Sequence, residues 1–425
     1  MPFYPSLRWR RRNTSTSSLI GRHDDSHTKD EDDEDANLGW VPGQIVVFDY
    51  NPSPTVSASS PSPLPFSDQP IKCLQWNIER GYRLDAVVAT LKSHDADIIC
   101  LQELDVHCAR SQYRNAAREI AEALQMTLIF VVEFEEIYSR RRNSKTQGGG
   151  WHGNAVLCRF PVLSYHRVRH THHPVNWELD GERMGEPRRG ERVTLCVVMD
   201  VYGHKVAAYT VHLEVFCGIL GRIRQFKDIL DDSRRLLTEE GVHNQIIFGD
   251  LNTMGHGVAR FHPRFCRDSL RWKTMGSSEA AFWHRHLFAY TTDMGDRNEL
   301  LMKFKLDDVE LGSLRNPHFY DPVPQLHTTL RSARGFFQGR LDWTLVRAMR
   351  AVDYGLDNHD YRKSDHKLMW VLLELMDESG EGDPGPDVYN DQLEEARSSS
   401  LLRFWLVIVL VAFLAYTIGA LKSFY

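Results

Sequence analysis

Cysteine is scarce in this sequence and is not arranged to do structural work. Seven residues, Cys73, Cys100, Cys108, Cys158, Cys196, Cys217 and Cys266, are scattered through 425. The number is odd and no CxxC pair occurs, which excludes a disulfide framework and a zinc knuckle. Most sit in apolar runs such as Ile-Ile-Cys100-Leu and read as small buried hydrophobes in a reducing compartment. An excess of positive charge is also missing. The chain carries 51 Lys+Arg against 57 Asp+Glu, a net charge of −6. Residues 1–69 hold 6 basic and 10 acidic residues and 376–400 hold 1 and 8, so residues 70–375 retain 42 basic against 39 acidic. A core near +3 is no polyanion-coating protein, though it leaves room for local phosphate binding. Residues 1–23 contain five arginines and no acid, but no apolar core of a secretory signal. No long internal repeat is visible.

Apolar content is 42%, enough for a large core. Residues 24–35 hold eight acids and 51–70 are rich in Ser and Pro, so 1–69 is expected to be a mostly disordered tail with a short strand at 44–48. Residues 404–421, FWLVIVLVAFLAYTIGAL, are 18 positions without a charge, bracketed by Arg403 and Lys422. As a helix they span about 27 Å, close to the thickness of a thin internal bilayer. An acidic Gly/Pro/Ser-rich linker, 377–400, precedes them and four residues follow. The expected organisation is a tail, a catalytic domain over 70–376, the linker and a single-pass tail anchor over 401–425. It would sit in the endoplasmic reticulum or another internal membrane with the catalytic domain cytosolic.

Between the ends the periodicity alternates. Buried strands are predicted at 71–78, 97–101, 153–160, 193–201, 206–213, 245–248, 341–346 and 367–375. Helical spacing appears at Leu84, Val87, Val88 and Leu91. It recurs at Tyr113, Ala117, Ile120 and Leu124, and at Ile219, Ile223, Phe226 and Leu230. Helices alternate with strands early and strands dominate the middle. That order predicts an α+β, sheet-on-sheet core with helices outside. Residues 255–340 are the least regular and are expected to hold loops and short helices.

Polar residues collect at the ends of these runs: Asn77 and Glu79, Glu103, His212, Asp250 and Asn252, Asp342, then Asp365 and His366. Singly, such residues are turn formers or solvated charges. On one edge they would give hard oxygen ligands suited to Mg²⁺ or Mn²⁺, with histidines for charge stabilisation and proton transfer.

In order, WNIERG, LQELD, GNAVLCRFP, TVHLE, GDLN, LDW and SDHK resemble the motifs of the endonuclease/exonuclease/phosphatase superfamily, over roughly residues 70–375. The resemblance implies the deoxyribonuclease I-like fold, a four-layer α/β/β/α sandwich, and Mg²⁺-dependent hydrolysis of a phosphate ester. It assigns Glu103 as the principal metal ligand, Asn77 to metal or phosphate, Glu79 and Asp365 as further ligands, Asp250 to the attacking water and Asn252 to the phosphate. His366 stabilises charge, Asp342 orients His366, and His212 lies beside the phosphate. Glu79 stands where the family often has Asp or another small polar residue. Arg340-Leu-Asp342-Trp343 replaces the Trp-Cys-Asp-Arg signature of the inositol phosphatases, which leaves the ester open, lipid or nucleotide-type. The expected activity is a membrane-anchored phosphodiesterase or phosphatase with no stable protein partner. A nuclease of the same fold or an inactive membrane tether are the alternatives. Two other features stand out: the histidines 166, 170, 172 and 173, read as a solvated loop, and Arg140, Arg141, Arg142 and Lys145 before Gly148, read as either an exposed loop or a phosphate-approaching one.

Overall fold

The computed structural model describes residues 39–52, 70–253, 279–289, 304–324, 327–332 and 337–376. The linker, the apolar C-terminal segment and most of the N-terminal tail lie outside these residues. Among the described residues no helix is long and apolar enough to cross a membrane.

One sheet runs in the order β1 (Ile45–Asp49), β4 (Thr127–Glu136), β5 (Gly150–Cys158), β3 (Ile98–Val106), β2 (Ile71–Asn77), β15 (Leu368–Leu375) and β14 (Met349–Asp357), with β7 (Arg188–Gly190) paired to the end of β4. The second runs β13 (Asp342–Arg347), β10 (Asn244–Asp250), β9 (His204–His212), β8 (Val193–Val201) and β6 (Val162–Arg169). A ribbon joins β11 (Leu330–Ser332) to β12 (Phe337–Gly339). The helices are α1 (Leu84–His94), α2 (Ala116–Leu124), α3 (Trp177–Met184), α4 (Ile219–Glu240), α5 (Glu279–Trp283) and α6 (Asp308–Leu314).

Side-chain alternation explains the layers. On β2, Ile71 and Cys73 turn towards the second sheet and join Cys100, Val156, Val197, Ala208 and Phe248 in the inter-sheet core. On β9, Ala207, Tyr209 and Val211 turn the other way and meet α4. Helix α4 buries Ile219, Ile223, Phe226, Leu230 and Ser233, a stripe at i, i+3 and i+4, and ends at Gly241 in the left-handed conformation (φ 64°). On the opposite outer face α2 buries Ala117, Ile120 and Ala121 and starts at Asn115, whose side chain accepts from the Arg118 backbone N–H at 3.0 Å. Each large apolar side chain so buried contributes about 1.5–3 kcal/mol. The result is an α+β fold with helices outside two packed sheets.

The 44–48 strand expected inside the N-terminal tail forms as β1 and pairs with β4, Ile45 opposite Val131, so the sheet begins before residue 70. Strands β4, β6, β7 and β14 are additions to the sequence reading, as is the β11–β12 ribbon inside 255–340, a stretch expected to hold loops and short helices.

Each sheet contains one parallel pair, β2 with β3 and β9 with β10. Parallel partners end at the same edge, so four strand ends converge there. In register, Asn77 lies opposite Gln102, and Asp250 opposite both His212 and Asp342.

Candidate active site

The site is built where those strands end. At the end of β10, Gly249 is required. A side chain there would place its Cβ 2.0 Å from the Val211 carbonyl oxygen. Asp250 follows, buried, and its Oδ1 accepts from the Asn252 backbone N–H at 2.7 Å. The Asn252 amide donates to the Leu213 carbonyl at 2.9 Å, so one of its two hydrogens is committed to tying β10 to β9.

Glu103 sits on a β-bulge. Leu101 pairs with Ala155 but Leu104 pairs with Gly153, so Gln102 and Glu103 together oppose Asn154. Glu103 adopts φ 59°, and its N–H donates to Asn154 Oδ1 at 3.3 Å instead of to the ladder. The bulge aims two consecutive side chains at the second sheet. Gln102 donates to Thr210 Oγ1 at 2.9 Å, and Glu103 Oε1 accepts from Asn77 Nδ2 at 3.2 Å.

Asn77 Nδ2 also donates to Asp250 Oδ2 at 3.2 Å, while its Oδ1 accepts from the Glu79 N–H at 3.1 Å. In this geometry Asn77 is a clamp between two carboxylates, its amide oxygen turned to backbone. Glu79 Oε2 accepts from the Asp365 N–H at 3.1 Å, which brings Glu79 and Asp365 side by side.

His366 Nδ1 donates to Asp342 Oδ2 at 2.8 Å, and Asp342 Oδ1 accepts from Gln75 Nε2 at 2.8 Å. His366 Nε2 lies 3.7 Å from Asp250 Oδ2. The His366 loop is locked from behind. Ser364 Oγ donates to the Asn77 carbonyl at 2.7 Å, and the His366 carbonyl accepts from Trp76 Nε1 at 3.0 Å. From the other side His212 Nε2 approaches Asp250 Oδ2 at 3.7 Å and Glu103 Oε1 at 3.9 Å. All nine residues expected at the site from sequence stand on this one edge.

The electrostatics are uneven. Burial, then Asp365 and Glu103, push Glu79 up to about 7. Burial pushes Asp250 up to about 7 against the pull of His366, with Asp342 and Glu103 adding repulsion. Asp365 is raised, first by burial. Glu103 is lowered, because Arg80, His152 and His366 outweigh its burial. Burial lowers His366, but Asp342 and the neighbouring Asp250 and Asp365 hold it well above the usual imidazole range, so it is charged at neutral pH. Burial and Arg192 hold His212 well below that range, so it is neutral.

A cation fits this donor set. Glu79, Glu103, Asp250 and Asp365 bring carboxylate oxygens together on this edge, and their mutual repulsion adds to the raised Glu79 and Asp250. The close trio Asp250, Asp342 and His366 is not itself the ligand set, because His366 is bonded to Asp342 at 2.8 Å. A second trio, His166, Cys196 and Asp232, is equally close but saturated. Asp232 takes His166 at 2.8 Å, Tyr209 at 2.9 Å and Arg235 at 2.8 Å.

Two readings change. His170 is buried, its Nε2 3.4 Å from Thr194 Oγ1, because β6 carries it under α4; it is not in a solvated loop. Arg142 is likewise buried and donates to Glu136 Oε2 at 2.8 Å, so it is held by the protein while Arg140 and Arg141 stay exposed. Sequence reasoning missed Gln75, Arg80, Asn154 and Arg192. Gln75 had a signal, since it shares the inward face of β2 with Asn77. Arg80 lies 3.8 Å from Glu103 Oε2.

The profile of the Endonuclease/Exonuclease/phosphatase family matches residues 74–366. A stretch of 71 residues, 17% of this chain, is 35% identical to the CCR4-Not complex 3'-5'-exoribonuclease subunit Ccr4 of Aspergillus oryzae and covers 9% of that protein. Among solved structures, an endonuclease/exonuclease/phosphatase from Beutenbergia cavernae is 16% identical with TM-score 0.46, covering 73% of this chain and 76% of that one. TDP2 from Caenorhabditis elegans is 16% identical with TM-score 0.42, covering 73% and 75%. Family members are hydrolases of phosphate-ester bonds. With the family's profile running from β2 through to His366, this chain belongs to the endonuclease/exonuclease/phosphatase family.

Proposed function

We propose that the chain is a divalent-cation-dependent hydrolase of phosphate esters, a phosphodiesterase or phosphatase, held at an internal membrane by its apolar C-terminal segment with the catalytic domain in the cytosol. The observation that carries the chemistry is the meeting, on one edge, of a charged His366–Asp342 pair with Asp250 and Glu103 joined through Asn77.

Glu103, Glu79 and Asp365, with Asp250 beside them, would supply the oxygens for Mg²⁺ or Mn²⁺, while Asn77, whose amide oxygen accepts from the Glu79 N–H, would act through Glu103. When bound, the cation supplies charge neutralisation on the phosphoryl oxygens. Asp250 orients and deprotonates the attacking water, its carboxylate fixed by the Asn252 N–H. The free hydrogen of the Asn252 amide donates to the phosphate. His366, kept charged by Asp342, stabilises the charge that develops on phosphorus oxygens in the transition state. Asn77 holds Glu103 and Asp250 apart at a fixed spacing.

A panel of bis(p-nitrophenyl) phosphate, phosphoinositides, sphingomyelin, RNA and single-stranded DNA, each with Mg²⁺ or EDTA, tests the reading on the full chain in detergent. EDTA-sensitive cleavage of at least one ester is expected. Inertness towards all of them would leave the inactive tether. The short similarity to an exoribonuclease subunit favours a nuclease as the second reading, and RNA as the preferred substrate would select it. For the anchor, deletion of 401–425 is expected to release the protein from membranes and leave hydrolysis of a soluble ester intact. Carbonate-extractable full-length protein would overturn the anchor.

A further inference from the structure

His212 and His366 face the same carboxylate from opposite sides, but they are held by opposite partners. His366 Nδ1 rests on the Asp342 carboxylate. His212 Nδ1 lies 3.0 Å from Nη1 of Arg192. Arg192 precedes β8, is 4% exposed, and its Nη1 also donates to Glu133 Oε2 at 2.8 Å. Glu133 is fully buried on β4 of the other sheet, and its second oxygen accepts from the Val193 N–H at 3.3 Å. Glu133 therefore grips both the side chain of Arg192 and the backbone beside it. The Arg192 guanidinium also lies 5.2 Å from the centre of the Phe134 ring.

A guanidinium has five N–H donors, no acceptor, and does not deprotonate in a protein. Facing it at 3.0 Å, His212 Nδ1 has only its lone pair to offer. The single N–H of a neutral imidazole is then on Nε2, the atom aimed at Asp250 and Glu103. A second proton would have to sit on Nδ1, against the guanidinium. We infer that Arg192 is a positioning residue that fixes the tautomer of His212, with a bare Nδ1 facing the guanidinium and the proton on Nε2, which makes His212 a hydrogen-bond donor towards the edge. What that donor faces rests on the phosphate-ester reading: a non-bridging phosphoryl oxygen. No bond is made or broken at His212. A donor without charge serves an edge that also receives a cation, because it adds a hydrogen bond without adding repulsion.

The test reads the tautomer directly. Full-length protein with ¹⁵N-imidazole histidine, in detergent, gives two-bond ¹H–¹⁵N correlations, with His212→Gln identifying the signal. A protonated Nε2 and a bare Nδ1 are expected at 212 in neutral buffer. An Nδ1–H tautomer or an imidazolium in the wild type overturns the inference. Arg192→Met is expected to release the tautomer to exchange and to lower kcat on bis(p-nitrophenyl) phosphate by about 10²-fold with KM little changed. Arg192→Lys, which keeps a donor-only group, should restore part of both. A fixed Nε2–H in Arg192→Met would also overturn it. If that variant does not fold, the wild-type spectrum decides. Since the spectrum needs no turnover, an enzyme inert towards every ester would sink the proposed function and leave the tautomer assignment standing.

Discussion

Two groups of carboxylates lie next to each other in this protein, one at an edge and one buried behind it, and their protons are held in opposite ways. At the edge, Glu79 and Asp250 are pushed up to about 7 and Asp365 is raised. Just behind, burial would raise Asp105 too, but Arg110 and His152 bring it down to about 2, and Arg110, Arg188, His152 and Arg142 hold Glu136 well below its usual range. Asp105 and Glu136 are fully buried while Glu103 and Asp365 are 22% and 33% exposed, so burial alone would raise the inner pair more; arginine reverses that order. Arg110 donates Nε to Asp105 at 2.7 Å and Nη2 at 2.8 Å, a two-pronged pair with both side chains buried. Arg142 and Arg188 complete the knot around Glu136. At the edge, among the described residues, Arg80 is the one arginine within 4 Å of a candidate ligand carboxylate, 3.8 Å from Glu103 and also 3.9 Å from Glu186, while Arg192 is spent on Glu133 and His212. The chain neutralises one set of acids itself and leaves the other short of positive charge. A fold optimised only for stability would not do that.

The sharpest way to break this comparison is to neutralise the edge. Glu103→Gln is expected to lower kcat by about 10³-fold or more while costing less than about 1 kcal/mol of folding stability. His366→Ala should lose as much activity and in addition about 3–5 kcal/mol, because it leaves the buried Asp342 without its partner. Turnover and urea unfolding measured together decide it. Wild-type turnover with wild-type Mg²⁺ dependence in Glu103→Gln would show that the edge is not the metal site.

The same surgery in the knot should do the reverse. Asp105→Asn leaves Arg110 buried without its carboxylate and is expected to cost about 3–5 kcal/mol. The sign with pH follows from the depressed value. Asp105 is about 2 when folded and about 3.9 when unfolded, so its contribution is present above pH 4 to 5 and fades as pH falls towards 2. The stability gap between wild type and variant should narrow over that window. A constant gap would mean that the Asp105–Arg110 pair is not what the substitution removes.

What the sequence made legible follows the same division. The edge residues lie at strand ends inside recurring motifs, and both central parallel pairs read as apolar runs because both their faces are covered. The knot is illegible, since Asp105 with Arg110, Glu136 and Arg188 come from three separate segments and nothing local marks Glu136 and Arg188 as their partners. Strands β6 and β14 escaped detection because they are edge strands: Leu163, Tyr165, Val352 and Tyr354 are exposed, so the inward-outward contrast is lost. Strand β4 follows α2 after two residues, so its apolar run Leu128–Val132 reads as more helix. Glu103 was recognisable as a residue type, but its aim depends on a bulge that pairing alone reveals.

A smaller effect separates the members of the edge. Asp342→Asn should cost less than His366→Ala, because it removes the partner and keeps the ring. The double variant should match His366→Ala within about threefold. Fully additive losses would show that the 2.8 Å contact is not a working pair.

The smallest expected effect is the most direct comparison of edge and knot. If the edge lacks positive charge, a cation must stabilise the folded protein, since it binds the native cluster and not the unfolded chain. At a concentration 100 times its dissociation constant, the gain is about 2.7 kcal/mol, or several degrees in melting temperature for a domain of this size. Mg²⁺ and Mn²⁺ should therefore raise the melting temperature of the wild type and of Asp105→Asn by the same amount, because the knot takes no part. Glu103→Gln should lose most of that rise and Ca²⁺-free EDTA should abolish it. The increment should also grow between pH 6 and 8, as Glu79 and Asp250 ionise near about 7 and more carboxylate becomes available to the ion. A rise retained in full by Glu103→Gln would place the cation elsewhere, and a rise lost in Asp105→Asn would tie it to the knot; either result would dissolve the contrast between the two groups of acids.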